Sequence, residues 1–208
     1  MCFKQNKIIA TFVAIAAFSV FSLMNTGCGK DEVTVPKPRV FPKVNYPTGK
    51  MIQFDTSFCS FTFEYPSYIS MKQDTLYFDE APKDPCWFDL YYPDFDAKIH
   101  CSYYPISTQN PFEKLRSDAY TLASKHNIKA DYIEEFLIKD DKRDLSGVVF
   151  DLEGNVASPF QFFLTDSTKH FLRGALYFNT KSRQDSLAPV TNFVRKDIMH
   201  IINTFHWK

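Results

Sequence analysis

What most constrains this chain is a series of four strand-like segments in its second half: Ile133–Lys139, Leu145–Leu152, Ser158–Thr165 and His170–Phe178. Each is rich in the β-branched, aromatic and large aliphatic residues that suit a pleated sheet. The turns between them, Asp140 to Asp144, Glu153 to Asn155 and Asp166 to Thr168, are short and polar. Linkers of that kind make sequence neighbours pair as hairpins. The region therefore predicts an antiparallel sheet. Three more strands are expected upstream. Phe61 to Tyr65 alternates large and polar residues and stops at Pro66. Cys86 to Tyr92 and Lys98 to Tyr104 flank a turn at Pro93 to Asp96.

Two helices complete the set. Asn110 can cap the first, Pro111 fits its first position, and Glu113 stands three residues after the cap. Phe112, Leu115, Ala119, Leu122 and Ala123 follow the helical period. A last helix is expected from near Asp185, with Leu187, Val190, Phe193, Val194, Ile198, Ile201, Ile202 and Phe205 as its apolar stripe. The fold class is thus α+β, an antiparallel sheet with one internal and one C-terminal helix packed on it. The element order, with its early F-x-F-x-Y-P strand and closing helix, resembles the PsbP/Mog1 architecture.

The N-terminus reads as a targeting segment. Lys4 and Lys7 precede an apolar run, Ile8 to Met24, broken only by Thr11, Ser19 and Ser22. Cys28 follows after Gly27, and this order resembles a bacterial lipoprotein signal, in which the Cys is acylated and becomes the new N-terminus. A membrane-spanning helix is the competing reading. Loss of residues 1–27 takes Lys4 and Lys7 with it. The charge then moves from 24 basic against 24 acidic residues to 22 against 24, or −2. Two or three acyl chains hold a protein far more firmly than one, since each buried CH2 contributes about 0.8 kcal/mol. Lys30, Asp31 and Glu32 resemble a lipoprotein export signal of some gliding gram-negative bacteria; the bland alternative is a solvated tether. Residues 28–48, with Pro36, Pro38, Pro42 and Pro47, read as the lipidated tether. Residues 49–208 read as one domain.

Composition excludes several functions. Charge balance argues against nucleic acid, which calls for a basic footprint. Only 6 Gly are present, with no phosphate-cradling loop, no HExxH and no CxxC. Of the cysteines, Cys59, Cys86 and Cys101 remain in the mature chain, and one bridge among them has three possible pairings. Cys59–Cys86 is favoured because both stand where a strand begins; three buried thiols is the alternative. Cys101 and His100 point to opposite faces of one strand and cannot form a nucleophile–base pair. Asp94 and Asp96, in a Pro-led turn, are expected to face solvent. Asp166 to His170 contains an acid, a hydroxyl and a base, but reads as turn chemistry. The histidines lack the spacing of paired ligands on one helix face. No cofactor and no metal is expected. Phe160, Phe162, Phe163 and Phe171 populate both faces of one hairpin. If helices cover only one face, some are left exposed as a partner patch.

The stretch Gln161 to Asn179, QFFLTDSTKHFLRGALYFN, closely resembles the gliding-motility lipoprotein D family (GldD). So do Asp151 to Asn155, Asp185 to Pro189, Pro85 to Trp87 and Thr204 to Lys208. The resemblance spans essentially the whole mature chain. It implies an envelope lipoprotein needed for surface gliding and linked to type IX secretion, with no catalytic residues to carry over. The expectation is a non-enzymatic scaffold, held to the membrane by its lipid and bound to other gliding or secretion proteins. Its place would be the outer membrane, on the periplasmic or the surface face. The rival class is an envelope hydrolase or small-ligand-binding lipoprotein.

Overall fold

The expected hairpins are present, and they form one side of a larger sheet. The computed structural model describes residues 43–75, 82–126, 129–179 and 184–208. All of these fall in the second of two units into which the chain divides, Phe41–Lys208. The strands among them are β1 (Met51–Asp55), β2 (Phe61–Pro66), β3 (Ser70–Gln73), β4 (Trp87–Tyr92), β5 (Ala97–Pro105), β6 (Ala130–Asp140), β7 (Leu145–Gly154), β8 (Phe160–Thr165), β9 (His170–Phe178) and β10 (His206–Trp207). The helices are α1 (Phe112–Ser124) and α2 (Gln184–Asn203). A single 3-10 turn, Pro93–Phe95, joins β4 to β5.

Seven strands form one antiparallel sheet in the order β3-β4-β5-β9-β8-β7-β6, and β1, β2 and β10 form a second, three-stranded sheet. Strand alternation sorts side chains onto two faces of the large sheet. On one face Phe88, Leu90, Ile99, Cys101, Val149, Phe162, Leu164, Leu172 and Leu176 meet the small sheet and α2. There Val194, Ile198, Ile201 and Ile202 bury the stripe expected from the helical period, each contributing about 1.5–3 kcal/mol on burial. Phe54, Phe61, Phe63, Phe88 and Phe205 stack at the centre; the Phe54 and Phe63 rings lie 4.4 Å apart. On the other face Leu115, Ala119 and Ala123 of α1 pack on Val148, Phe150, Leu152, Phe163 and Phe171.

This two-sided cover corrects one expectation. The hairpin aromatics Phe160, Phe162, Phe163 and Phe171 are all only 1–3% exposed. The helices lie on opposite faces, so both sets of rings are covered and the hairpin offers no apolar patch. Gly174 is part of that packing: a Cβ there would stand 2.3 Å from the Phe162 ring, so only glycine lets that ring lie across the strand.

Three smaller differences also have physical causes. First, α1 starts one residue late. Pro111 is extended (ψ 148°) and acts as the cap residue itself, its carbonyl accepting from the N–H groups of Lys114 and Leu115. Asn110 instead closes a turn with Ser107, whose Oγ accepts its N–H at 3.1 Å. Second, β1, β3 and β10 carried no readable pattern: β1 buries only Phe54, β3 buries nothing fully, and β10 has two residues. Third, the end of the expected tether lies against the domain. Val44 packs on the main core and the Tyr46 ring is 4.8 Å from that of Phe193.

Candidate functional site

The disulfide joins Cys59 and Cys86, and Cys101 is free and buried. Burial, and then the nearby charge of Asp89, pushes the Cys101 thiol far above its ordinary range. It is an inert core residue. His100, on the opposite face, lies 2.8 Å by Nδ1 from Asp89 Oδ1, while Lys98 Nζ donates to Asp89 Oδ2 at 2.6 Å. Burial works against ionised Asp89, but the hydrogen bonds from His100 and Lys98 prevail and hold its carboxyl low.

The other candidates resolve into local structure. Asp94 lies in the 3-10 turn, and Asp96, left-handed at φ 45°, accepts from Tyr91 Oη at 3.1 Å. Asp166 Oδ1 accepts the backbone N–H groups of Thr168, Lys169 and His170 at 2.8–3.0 Å. Partial burial opposes its charge, yet those three donors keep it below the usual carboxylate range. His170 Nδ1 is 2.6 Å from Tyr103 Oη, and its ring stacks on Trp207 at 5.0 Å. Among the described residues no three His, Cys, Asp or Glu side chains converge as a metal site would require. Cys28, Lys30, Asp31 and Glu32 lie outside the described residues.

What the structure adds is an open edge. β6 closes the seven-stranded sheet on one side and, among the described residues, is paired only through β7. It is eleven residues long and contains no proline, and among the described residues no strand pairs with its outer side between Tyr132 and Lys139. Three large side chains stand out from it: Leu137 at 83% exposure, Tyr132 at 57% and Phe136 at 46%. Glu134, Glu135 and Lys139 are exposed between and beyond them. Residues 135, 137 and 139 share the α1 face, since Leu137 is opposite Val148 of the α1 core. Residues 134, 136, 138 and 140 share the other face, where Ile138 touches the main core.

Beside Leu137, on the α1 face, runs a groove of about 450 Å³. Phe112, Arg116 and Tyr120 of α1 form one wall, with Val148 and Phe163 beneath. Gly147 lets β7 approach β8 here: a Cβ would stand 2.1 Å from the Phe163 carbonyl oxygen. Two hydroxyls reach the rim, Ser146 and Ser167, 3.4 Å apart. Ser146 Oγ donates to the Thr165 carbonyl at 3.2 Å, and neither hydroxyl hydrogen-bonds a histidine among the described residues. The arrangement suits apolar contact and strand pairing better than proton transfer.

The turn between β6 and β7 is fixed by Arg143. Its Nη1 donates to the carbonyls of Ile202 and Asn203, the last two residues of α2, and of Phe205 just beyond them, within 2.8–3.1 Å of each, and its Nε donates to Asp140 Oδ2 at 2.8 Å. The end of a helix leaves carbonyls short of intrahelical donors, and a guanidinium placed there supplies donors together with favourable charge. No local pattern signals this clamp, which joins residues about sixty positions apart.

The family comparison agrees with the resemblance read from the sequence. A family model described as "Gliding motility lipoprotein GldD" matches residues 31–207. No curated protein matches. Among solved structures, the chain is similar to the solution structure of cyanobacterial PsbP from Synechocystis sp. PCC 6803. The two share 12% identity and a TM-score of 0.48, over 78% of this chain and 95% of that one. Among the described residues no helix is long and apolar enough to cross a membrane. The chain belongs to the gliding motility lipoprotein GldD family, and a place in the cell envelope fits that membership.

Proposed function

We propose that this member of the family is a lipid-anchored, non-enzymatic scaffold of the gliding machinery, linked to type IX secretion. The observation that carries the reading is the family match across residues 31–207. In this reading residues 1–27 are a signal, Cys28 carries the acyl chains, and the Pro-rich segment from Cys28 to residue 48 leads to the domain, residues 49–208. Lys30, Asp31 and Glu32 direct the anchor outward, to the outer membrane. The open β6 edge supports a docking role, because a long unpaired strand with exposed apolar side chains is a template for another chain. Anchoring raises local concentration, so weak contacts suffice.

Two experiments test this. Cys28→Ser should yield an unprocessed precursor that takes up no labelled fatty acid; retained label defeats the anchor. Replacing Lys30, Asp31 and Glu32 together with Ala should protect the domain from added protease in intact cells. Unchanged accessibility would make those charges incidental.

A further inference from the structure

We propose that the partner seated on the outer edge of β6 is the same strand of a second copy of this chain, running antiparallel, with Leu137 opposite the second copy's Leu137. The inference rests on the scaffold reading above and names the first occupant of its docking edge.

The argument begins with symmetry. Two identical edges pair antiparallel about a two-fold axis perpendicular to the sheet, and such an axis keeps each face on its own side. Opposed residues must therefore share a face, so the register can shift only by two. Centring the pair on Leu137 sets Glu135 against Lys139 twice, once on each side of the axis, all on the α1 face. On the other face it sets Phe136 against Ile138 twice. The most exposed apolar side chain of the strand meets its own copy, and every apolar residue from 136 to 138 gains an apolar neighbour.

The neighbouring registers lack this match. Centring on Phe136 sets Lys139 against Ile133 and Glu135 against Leu137. Centring on Ile138 sets Lys139 against Leu137 and Glu135 against Asp141. Neither forms an ion pair within the strand, Ala130–Asp140.

The Leu137 register has one kind of unfavourable-looking contact, Glu134 opposite Asp140, made twice. That carboxylate is already engaged: Arg143 Nε donates to it at 2.8 Å and the N–H groups of Lys142 and Arg143 donate to its other oxygen. Lys139 is free to re-pair, since its present partner Asp141 is 3.5 Å away and both are largely exposed. Opposed cross-strand pairs of these kinds each favour association modestly, and the seven-residue ladder from Glu134 to Asp140 adds its backbone bonds. The product is one continuous sheet through two domains.

Site-directed crosslinking of the full chain in its native envelope tests the register. Directly opposed Cα atoms lie within disulfide reach. Cys59 and Cys86 are bridged and Cys101 is buried, and the unaltered chain serves as the background control. Under mild oxidation of intact cells, Leu137→Cys should give a reducible species of twice the mass. Tyr132→Cys, exposed on the same strand but out of register, should not. In the Leu137→Cys chain, Glu135→Lys or Lys139→Glu alone should lower the crosslinked fraction on the order of tenfold, and the two together should restore it.

Absence of the Leu137→Cys dimer at normal accumulation overturns the proposal, as does equal crosslinking at Tyr132. Leu137→Asp separates this from the underlying reading. If the dimer is absent and Leu137→Asp still stops gliding, the edge serves a different protein and only the second copy is refuted. If the dimer forms but a dimer-breaking Leu137→Asp leaves gliding intact, the pairing stands and the docking role of the edge falls. If neither effect appears, both are refuted.

Discussion

The two ends of the seven-stranded sheet are built on different physics. The β3–β4 end is closed. Its edge strand has four residues, Ser-Met-Lys-Gln, and Lys72 lies over the Tyr91 ring at 4.9 Å. The next strand starts at the disulfide and sends Phe88, Leu90 and Tyr92 into the core. Short length and a lysine are the usual protections of an edge. The β6–β7 end has an eleven-residue edge with Phe136 and Leu137 outward, and it is tied to α2 by charged groups: Arg143 on the helix carbonyls and Arg195 on Asp151. One end carries the usual protections of a sheet edge, and the other lacks them, as the proposed pairing requires. The difference makes predictions that can be ranked.

The largest effect is expected at the closed end. Phe88 is fully buried, with its ring 4.8 Å from that of Phe54. Phe88→Ala should cost about 3–5 kcal/mol in chemical denaturation. A cost below about 1 kcal/mol would mean that this end is not the stability centre.

Opening the Cys59–Cys86 bridge by a double Ser substitution should cost about 2–4 kcal/mol, since it releases a loop between residues 27 apart. Equal stability of the reduced and oxidised chains would remove the covalent half of the contrast.

Arg143→Ala should come next, at about 1.5–3 kcal/mol, because it strands carbonyls that a charged donor had satisfied. Hydrogen exchange should rise first at the β6–β7 turn and the end of α2. Protection lost evenly over the whole sheet would contradict a local clamp.

The seam between the sheets should respond to pH. Burial lowers the His170 pKa, against the opposing charge of Asp166. The folded state thus prefers neutral imidazole. Its contribution is complete above the unfolded value, about 6.5, and is lost as pH falls through the lower folded value. His170→Gln should flatten thermal stability against pH in that window; identical profiles would acquit His170.

The smallest stability effect belongs to the open edge. Leu137→Asp should change folding stability by no more than about 0.5 kcal/mol, as befits an exposed site. A large loss would show that Leu137 already packs within its own domain.

Much of this contrast was hidden in the chain as read. The hairpins from β6 to β9 were legible because turn chemistry acts over a few residues, as Asp166 shows by collecting three backbone N–H groups. The α2 stripe was legible because its period is strong. Strand order was not, for nothing local tells β9 to sit between β5 and β8. That order decides which strand is the edge and which faces the helices cover. It is why the aromatic hairpin suggested a surface where it forms the interior. It is also why Phe136, Leu137 and Ile138, three apolar residues in succession, did not announce an exposed rim. Arg143 sat unread in a charged turn because its acceptors arrive from the far end of α2.

The pairing of β5 with β9 has a kinetic meaning. It sets Ala97 beside Phe178 and Pro105 beside His170, at the middle of the sheet. Glu64 likewise receives Thr204 across 140 positions, its N–H donating to the hydroxyl at 3.0 Å. Contacts so distant in sequence require long loops to close before any core rewards them, which makes folding slow, in the millisecond-to-second range typical of such topologies. The first five strands have no finished core to fold onto until β9 and α2 have been delivered. A chain of this topology stays open while its early part is already made, a state compatible with being threaded across a membrane before it acquires its shape.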